Sequence, residues 1–345
     1  MRPDEFLYLC CHTAGVRSYT VSDAGALSLK DTEAPGAKAQ GAFADANFVY
    51  VAFDTSGVYS YAIDDDGLMT LLDSDGTSSD KAYSIWGDGD FIYCAHDAGG
   101  IHSYSVNEAG SWTHIDSDDQ GSNAYDVHGD GNFIYLANGA GGVVVYSVDG
   151  AGNLTYVSTK DDGGTYRGVF AYNGYVYCAR DSSGLTVYSV DGSGTLSTAI
   201  DTATDGTCYK VRMDRATGYI YVAGFSAGIF SYSFDGSSLT LEDTASIGGH
   251  HVYTIGVGAG YGNRAYAAST TSGLNAFSVD SAGDFTSTDS DNPGGTILNC
   301  FAGQAAFPDS VEITAVEQMD YLDYDAAGNQ HWPGSVKISY NLNSW

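Results

Sequence analysis

Val143-Val144-Val145-Tyr146-Ser147-Val148-Asp149-Gly150-Ala151-Gly152-Asn153-Leu154 decides the fold, because the chain repeats this stretch from one end to the other. Its first half reads as a strand. The Asp-Gly-x-Gly that follows reads as a hairpin turn, where glycine takes positive φ without a Cβ clash and Asp bonds to nearby backbone. Further copies stand at Val16–Leu27, Val58–Leu68, Ile101–Trp112, Leu185–Leu196, Ile229–Leu239 and Leu274–Phe285, which makes seven.

Two markers measure the period. Tyr8, Tyr50, Tyr93, Tyr135, Tyr177, Tyr221 and Tyr266 sit in x-Tyr-x-Ala/Cys strands at intervals of 42, 43, 42, 42, 44 and 45 residues. Tyr19, Tyr61, Tyr104, Tyr146, Tyr188, Tyr232 and Phe277 keep the same intervals. A period near 43 built of short strands, with no 3.6-residue periodicity, matches a propeller blade. In the unit Ala82–Asp116, four strands are predicted near Tyr83–Trp86, Phe91–His96, Ile101–Val106 and Trp112–Ile115. Turns such as Asp54-Thr55-Ser56-Gly57, Asp97-Ala98-Gly99-Gly100 and Asp181-Ser182-Ser183-Gly184 need no functional explanation, since Asp and Gly are turn residues.

Phe6–Cys11 matches a second strand, so the first unit lacks its innermost one. The segment Leu298-Asn299-Cys300-Phe301-Ala302-Gly303 matches a first strand and has no successor. The fold class expected is therefore all-β, a seven-bladed β-propeller of four-stranded blades, its ring closed by C-terminal strand pairing with the N-terminal blade. Residues 1–303 form the propeller and residues 304–345 a β-rich tail, with alternating stretches at Ser310–Val316 and Ser335–Leu342 that suit either a local hairpin packed on the ring or docking onto another chain's edge.

Composition narrows the function. The 345 residues carry 43 acidic and 13 basic side chains, a formal net charge of −30, so nucleic acid and anionic membranes are poor partners. No apolar run reaches the roughly 20 residues of a membrane helix, and the N-terminus shows no signal-peptide pattern. Six cysteines at 10, 11, 94, 178, 208 and 300 have no metal spacing and read as small core residues.

The pattern Val-Tyr-x-Ala…Gly-x-x-Val-Tyr-Ser-Val-Asp-x-x-Gly-x-Leu resembles the 6-phosphogluconolactonase-like lactonases and the related LVIVD and YVTN repeat propellers, over about residues 6–303. That resemblance implies seven blades and, for the lactonase members, hydrolysis of a sugar lactone with polar and basic residues at one mouth of the ring. No nucleophile elbow, Walker loop or His-Glu-x-x-His is present, and no residue is assigned as catalytic.

Chemistry in a propeller is sought where the innermost strands converge. Aligned on the first strands, one position is Gln40, Tyr83, Tyr125, Arg167, Tyr209, Tyr253 and Leu298, and the next is Gly41, Ser84, Asp126, Gly168, Lys210, Thr254 and Asn299. The first set suits stacking on, and hydrogen-bonding to, a polar ligand. The second suits a crowded polar axis. His128 and Arg212 share the register of Phe43, Trp86, Phe170 and Phe301, an aromatic layer between blades. His250 and His251 precede Tyr253, but adjacent residues of a strand point to opposite sides and do not share a metal. Acidic loops such as Asp64-Asp65-Asp66-Gly67 lack the spacing of a calcium loop.

The expected ligand-binding residues are Gln40, Tyr83, Tyr125, Asp126, Arg167, Tyr209, Lys210, His251 and Tyr253, with no metal and no cofactor. The function expected is a non-enzymatic binding or structural propeller in a larger assembly, virion-associated or extracellular, that binds a protein through its tail or a glycan. The alternative is a lactonase-like hydrolase acting at the axial mouth.

Overall fold

The computed structural model describes residues 6–76, 80–202, 207–247, 252–258, 264–269, 272–292, 297, 299–302, 323–324 and 330–331. The chain divides into two compact units, Met1–Ala305 and Ala306–Trp345. In the second, Asp323–Tyr324 pairs antiparallel with Gln330–His331. The predicted strands Ser310–Val316 and Ser335–Leu342 lie outside the described residues.

The first unit holds seven four-stranded antiparallel sheets arranged as the blades of a propeller. Blade 3 is typical, with strands Ser84–Gly87, Ile92–Ala95, Ile101–Val106 and Trp112–Asp118 running from the axis outward. Blades 2 to 7 take their strands in chain order. Blade 1 takes Leu7–Cys10, Val16–Val21 and Leu27–Glu33 from the N-terminus and Asn299–Ala302 from the far end of the unit, with Leu7 opposite Ala302 and Cys10 opposite Asn299.

Burial explains the residue pattern. A second strand such as Val49–Ala52 is buried at every position, because each of its faces packs on a neighbouring blade. Apolar and aromatic residues without alternation follow from that. Its tyrosine carries a hydroxyl that must be satisfied once buried. Tyr50, Tyr93 and Tyr135 donate to Asp45, Asp88 and Asp130, each at 2.7 Å, and the other oxygen of each carboxylate accepts two backbone N–H groups of the turn between the first and second strands. One aspartate thus caps the turn and anchors the core tyrosine.

The outer strands run longer than the sequence suggests. Each carries a β-bulge at the same place, as between Ser103 and Tyr104 against the strand Trp112–Asp118. The extra residue re-aims the side chain beside it. Asp31, Asp73, Asp116, Asp243 and Asp289 then reach the next blade and accept the backbone N–H of Met69, Trp112, Leu154, Phe285 and Leu27 at 2.7–3.1 Å. The last of these ties blade 7 to blade 1.

The repeated Ser of the third strand works alongside. Ser18, Ser60, Ser103 and Ser231 donate to the hairpin carbonyls of Gly67, Gly110, Gly152 and Gly283 in the following blade. Where Val145 replaces that serine in blade 4, Ser158 of the outer strand donates to Gly194 instead. The serine before the third-strand tyrosine and the glycine of the next blade's hairpin therefore make the repeated stretch an inter-blade joint as well as a turn.

Candidate functional site

Each first strand begins at the face of the ring where the turns between second and third strands also lie. In those turns His12, Asp54, Asp97, Asp181 and Phe225 have φ of 44°, 38°, 39°, 50° and 37°, and Gly139 has 51°. Asp tolerates this region because its carboxylate bonds locally; for a bulky Phe it is strained backbone of the kind that clusters at functional positions.

Two circles of side chains meet at this mouth. Around blades 3 to 6 they form a continuous stack. Tyr83 lies 5.6 Å from Tyr125, the Arg167 guanidinium lies 5.3 Å from the Tyr125 ring and 4.5 Å from the Tyr209 ring, and Tyr209 stacks on Phe225 at 5.0 Å with 18° between planes. Arg167 Nε donates to Asp181 at 2.8 Å. The arc is half-buried throughout. The tyrosines were expected to stack on a ligand; they stack on one another and on Arg167, so what remains for a ligand is ring edges, hydroxyls and the guanidinium fork.

The opposite arc, on blades 1 and 2, is polar. Asp54 Oδ2 lies 3.5 Å from Gln40 Nε2 and 3.8 Å from Lys38 Nζ, while its Oδ1 is buried without a hydrogen-bond partner among the described residues. Burial, then Lys38, pulls the pKa of nearby His12 down, against the pull of Asp54.

Beneath the mouth the axis is closed by charge pairing. Asp126 is fully buried, and its Oδ1 accepts from Lys210 Nζ at 2.5 Å and Ser84 Oγ at 2.6 Å. Its Oδ2 accepts from the Val169 N–H at 3.0 Å and from Arg212 Nη1 at 3.3 Å. Burial alone would raise this carboxyl's pKa, but Lys210, Arg212 and the Ser84 hydroxyl hold it well below the usual carboxylate range. Burial draws the Lys210 ammonium down to about 8, with Asp126 opposing.

Glycine makes the reach possible. A Cβ on Gly168 would stand 2.8 Å from the Tyr209 carbonyl oxygen and 2.9 Å from Lys210 Cα, so the strand of blade 5 passes close to that of blade 6 only because the side chain is absent. His128 packs between Trp86, 5.1 Å away, and Phe170, 4.3 Å away. Its Nδ1 accepts from the Ala171 N–H at 3.2 Å, and burial, then Arg212 and Arg215, keeps the ring neutral.

Of the residues singled out in the sequence, Tyr83, Tyr125, Arg167 and Tyr209 come together in the stacked arc and Gln40 belongs to the polar one. Asp126 and Lys210 lie below, each occupied by the other. Tyr253 has its backbone in the strand Val252–Gly258; its side chain, and His251 altogether, fall outside the described residues. The sequence assigns Asp54, Asp97 and Asp181 to turns and singles out neither His12 nor Phe225. The signal was the irregularity of one turn position, which reads His, Asp, Asp, Gly, Asp, Phe in successive blades where a plain turn needs only Asp or Gly.

The chain matches no family model and no curated protein. Among solved structures it is similar to a candidate 6-phosphogluconolactonase from Bacteroides fragilis, with 15% identity, 86% of this chain and 97% of the other covered, and a TM-score of 0.73. A protein from Lactobacillus plantarum matches at 16% identity over 87% of this chain and 99% of its own, with a TM-score of 0.75. Virginiamycin B lyase from Staphylococcus aureus matches at 11% identity over 72% and 83%, with a TM-score of 0.57. At such identities the likeness establishes the propeller and leaves the chemistry to the site.

Proposed function

We propose that this propeller is a binding module without catalysis, a component of a larger assembly, and that its ligand docks on the mouth against Tyr83, Tyr125, Arg167 and Tyr209. The stacked arc supports this most. Three blades contribute aromatic rings to a stack that holds one arginine of a fourth, and at the turn of blade 6 the backbone accepts an unfavourable φ at Phe225, which stacks on Tyr209. Preorganised hydrogen-bonding edges favour binding, because little freedom is lost when the ligand arrives. The ionisable groups on the axis itself, Asp126 and Lys210, neutralise one another in a buried pair, which leaves neither as a free acid or base. A glycan is the ligand that suits such edges, and residues 304–345 are proposed to dock the propeller onto a protein partner.

The test is a binding screen of the whole protein against oligosaccharides, repeated with Tyr125→Ala and Arg167→Ala. The reading requires at least one ligand whose binding falls about tenfold or more in both variants, the scale of a lost charged hydrogen bond. Binding indifferent to both would end it.

One observation favours a second reading, hydrolysis of a lactone of the kind handled by the lactonases this fold resembles. Asp54 has a buried oxygen with no hydrogen-bond partner among the described residues, and its charge acts on His12, a carboxylate and imidazole in one arc of the mouth. Lactone hydrolysis abolished by His12→Gln would establish that reading in place of the first.

A further inference from the structure

The ligand's charge and shape can be argued one step beyond that binding reading, on which this inference rests. We infer that the mouth recognises a carboxylate carried on a polyhydroxylated ring, a sugar acid, and that Arg167 takes the carboxylate end-on through Nη1 and Nη2.

Arg167 is oriented from three sides. Tyr125 and Tyr209 flank the guanidinium plane, and Asp181 fixes its rotation by accepting from Nε at 2.8 Å. Among the described residues neither Nη1 nor Nη2 has a hydrogen-bond partner, and the side chain keeps 26% of its surface accessible. Two parallel N–H groups in a fixed plane match the two oxygens of a carboxylate. A lysine in this place would supply the charge without the fork.

Charge favours a single negative charge over a phosphate dianion. The mouth and axis gather Lys38, Lys81, Arg167, Lys210 and Arg212, five of the chain's 13 cations, against Asp54, Asp97, Asp126 and Asp181. In a chain of formal charge −30, this local balance of cations and carboxylates repels an anion less than the chain's average composition would. Asp97 and Asp181 still border the arc, and a second negative charge would meet them.

The neighbours of the fork specify the rest of the ligand. The Tyr125 hydroxyl has no hydrogen-bond partner among the described residues, and Lys81 sits against the Tyr83 phenol as a further donor. Because both faces of Tyr125 and Tyr209 are taken by Tyr83, Arg167 and Phe225, contact beside the fork comes from hydroxyl and N–H edges, which suit sugar hydroxyls better than an apolar peptide side chain.

The experiment is calorimetric titration of the full chain with trimers of galacturonate, glucuronate and mannuronate, with their methyl esters, which keep the ring and remove the charge, and with a sugar phosphate. Expected are binding of at least one acid, a tenfold or greater loss for its ester, and a similar loss in Arg167→Lys. Circular dichroism and melting of the lysine variant confirm that it is folded. Equal affinity for acid and ester, unchanged binding in Arg167→Lys, preference for the phosphate, or no binding of any acid each overturn the inference. Neutral oligosaccharides that bind with dependence on Tyr125 would then leave the binding reading standing.

Discussion

Lys210 Nζ lies 2.5 Å from Asp126 Oδ1 although their blades are not neighbours; the blade between contributes only Gly168 at that level. The contact joins blades 4 and 6 across the axis, and Arg212 and Ser84 complete it.

Removing one partner of such a pair leaves the others buried and uncompensated. Asp126→Ala is expected to destabilise by about 3–5 kcal/mol, the usual cost of breaking a buried ion pair from one side. Asp126→Asn combined with Lys210→Met should recover much of that loss in a denaturant titration.

Gly168→Ala is the steric counterpart. Its methyl would enter within 3 Å of two backbone atoms of blade 6, which cannot move aside as a side chain can. A loss of about 1–3 kcal/mol is expected, as for overpacking in a close-packed core, read as a lower melting temperature.

Acid should loosen the interface between blades 2 and 3. At Tyr19 and Tyr146 the third-strand phenol donates to a carboxylate of the preceding blade, Asp291 and Asp118. Tyr104 instead meets His96 Nε2 at 3.1 Å and His102 Nδ1 at 3.5 Å, with the two imidazoles 4.1 Å apart and His114 5.1 Å from His102. Burial and the neighbouring imidazoles lower the pKa of His96 to about 3 and of His102 to about 4. Both values lie below the 6.5 of an unfolded histidine, so the unfolded chain takes up protons first. Their contribution is fully present above pH 6.5 and is lost as pH falls through 6.5 toward 4, by up to about 1.4 kcal/mol per pH unit per group. His96→Gln with His102→Gln should flatten the stability curve in that window; an unchanged slope would assign the acid sensitivity elsewhere.

The carboxylate joints between outer strands predict a graded series. Asp116→Ala and Asp289→Ala each leave a backbone N–H without its acceptor, at Leu154 and Leu27, and each should cost about 1–3 kcal/mol. Asp289 differs in joining blade 7 to blade 1, so its loss should also raise hydrogen exchange in the strands Leu7–Cys10 and Asn299–Ala302.

The blades were legible in the sequence because two tyrosine markers keep one register, and each marker is a buried residue whose hydroxyl needs a partner at a fixed place. The long outer strands were not, since a bulge breaks the alternation that would have extended them. At the mouth, aligning first strands brought Tyr83, Tyr125, Arg167 and Tyr209 together. Asp181 and Phe225 were hidden because a turn aspartate already has a local explanation, and because position in the chain does not show that the turn of one blade faces the first strand of the same blade. The partnership of Asp126 with Lys210 spans 84 residues, and only the curvature of the ring brings them into contact.

The proposed binding mode places a ligand on the arc from Tyr83 to Phe225. Hydrogen–deuterium exchange of the full chain, with and without the tightest-binding oligosaccharide, tests it most directly. Slower exchange is predicted around Tyr83, Tyr125, Arg167 and Tyr209, with none at the outer hairpins near Gly67 and Gly152. Protection confined to those hairpins, or none at the mouth, would contradict it.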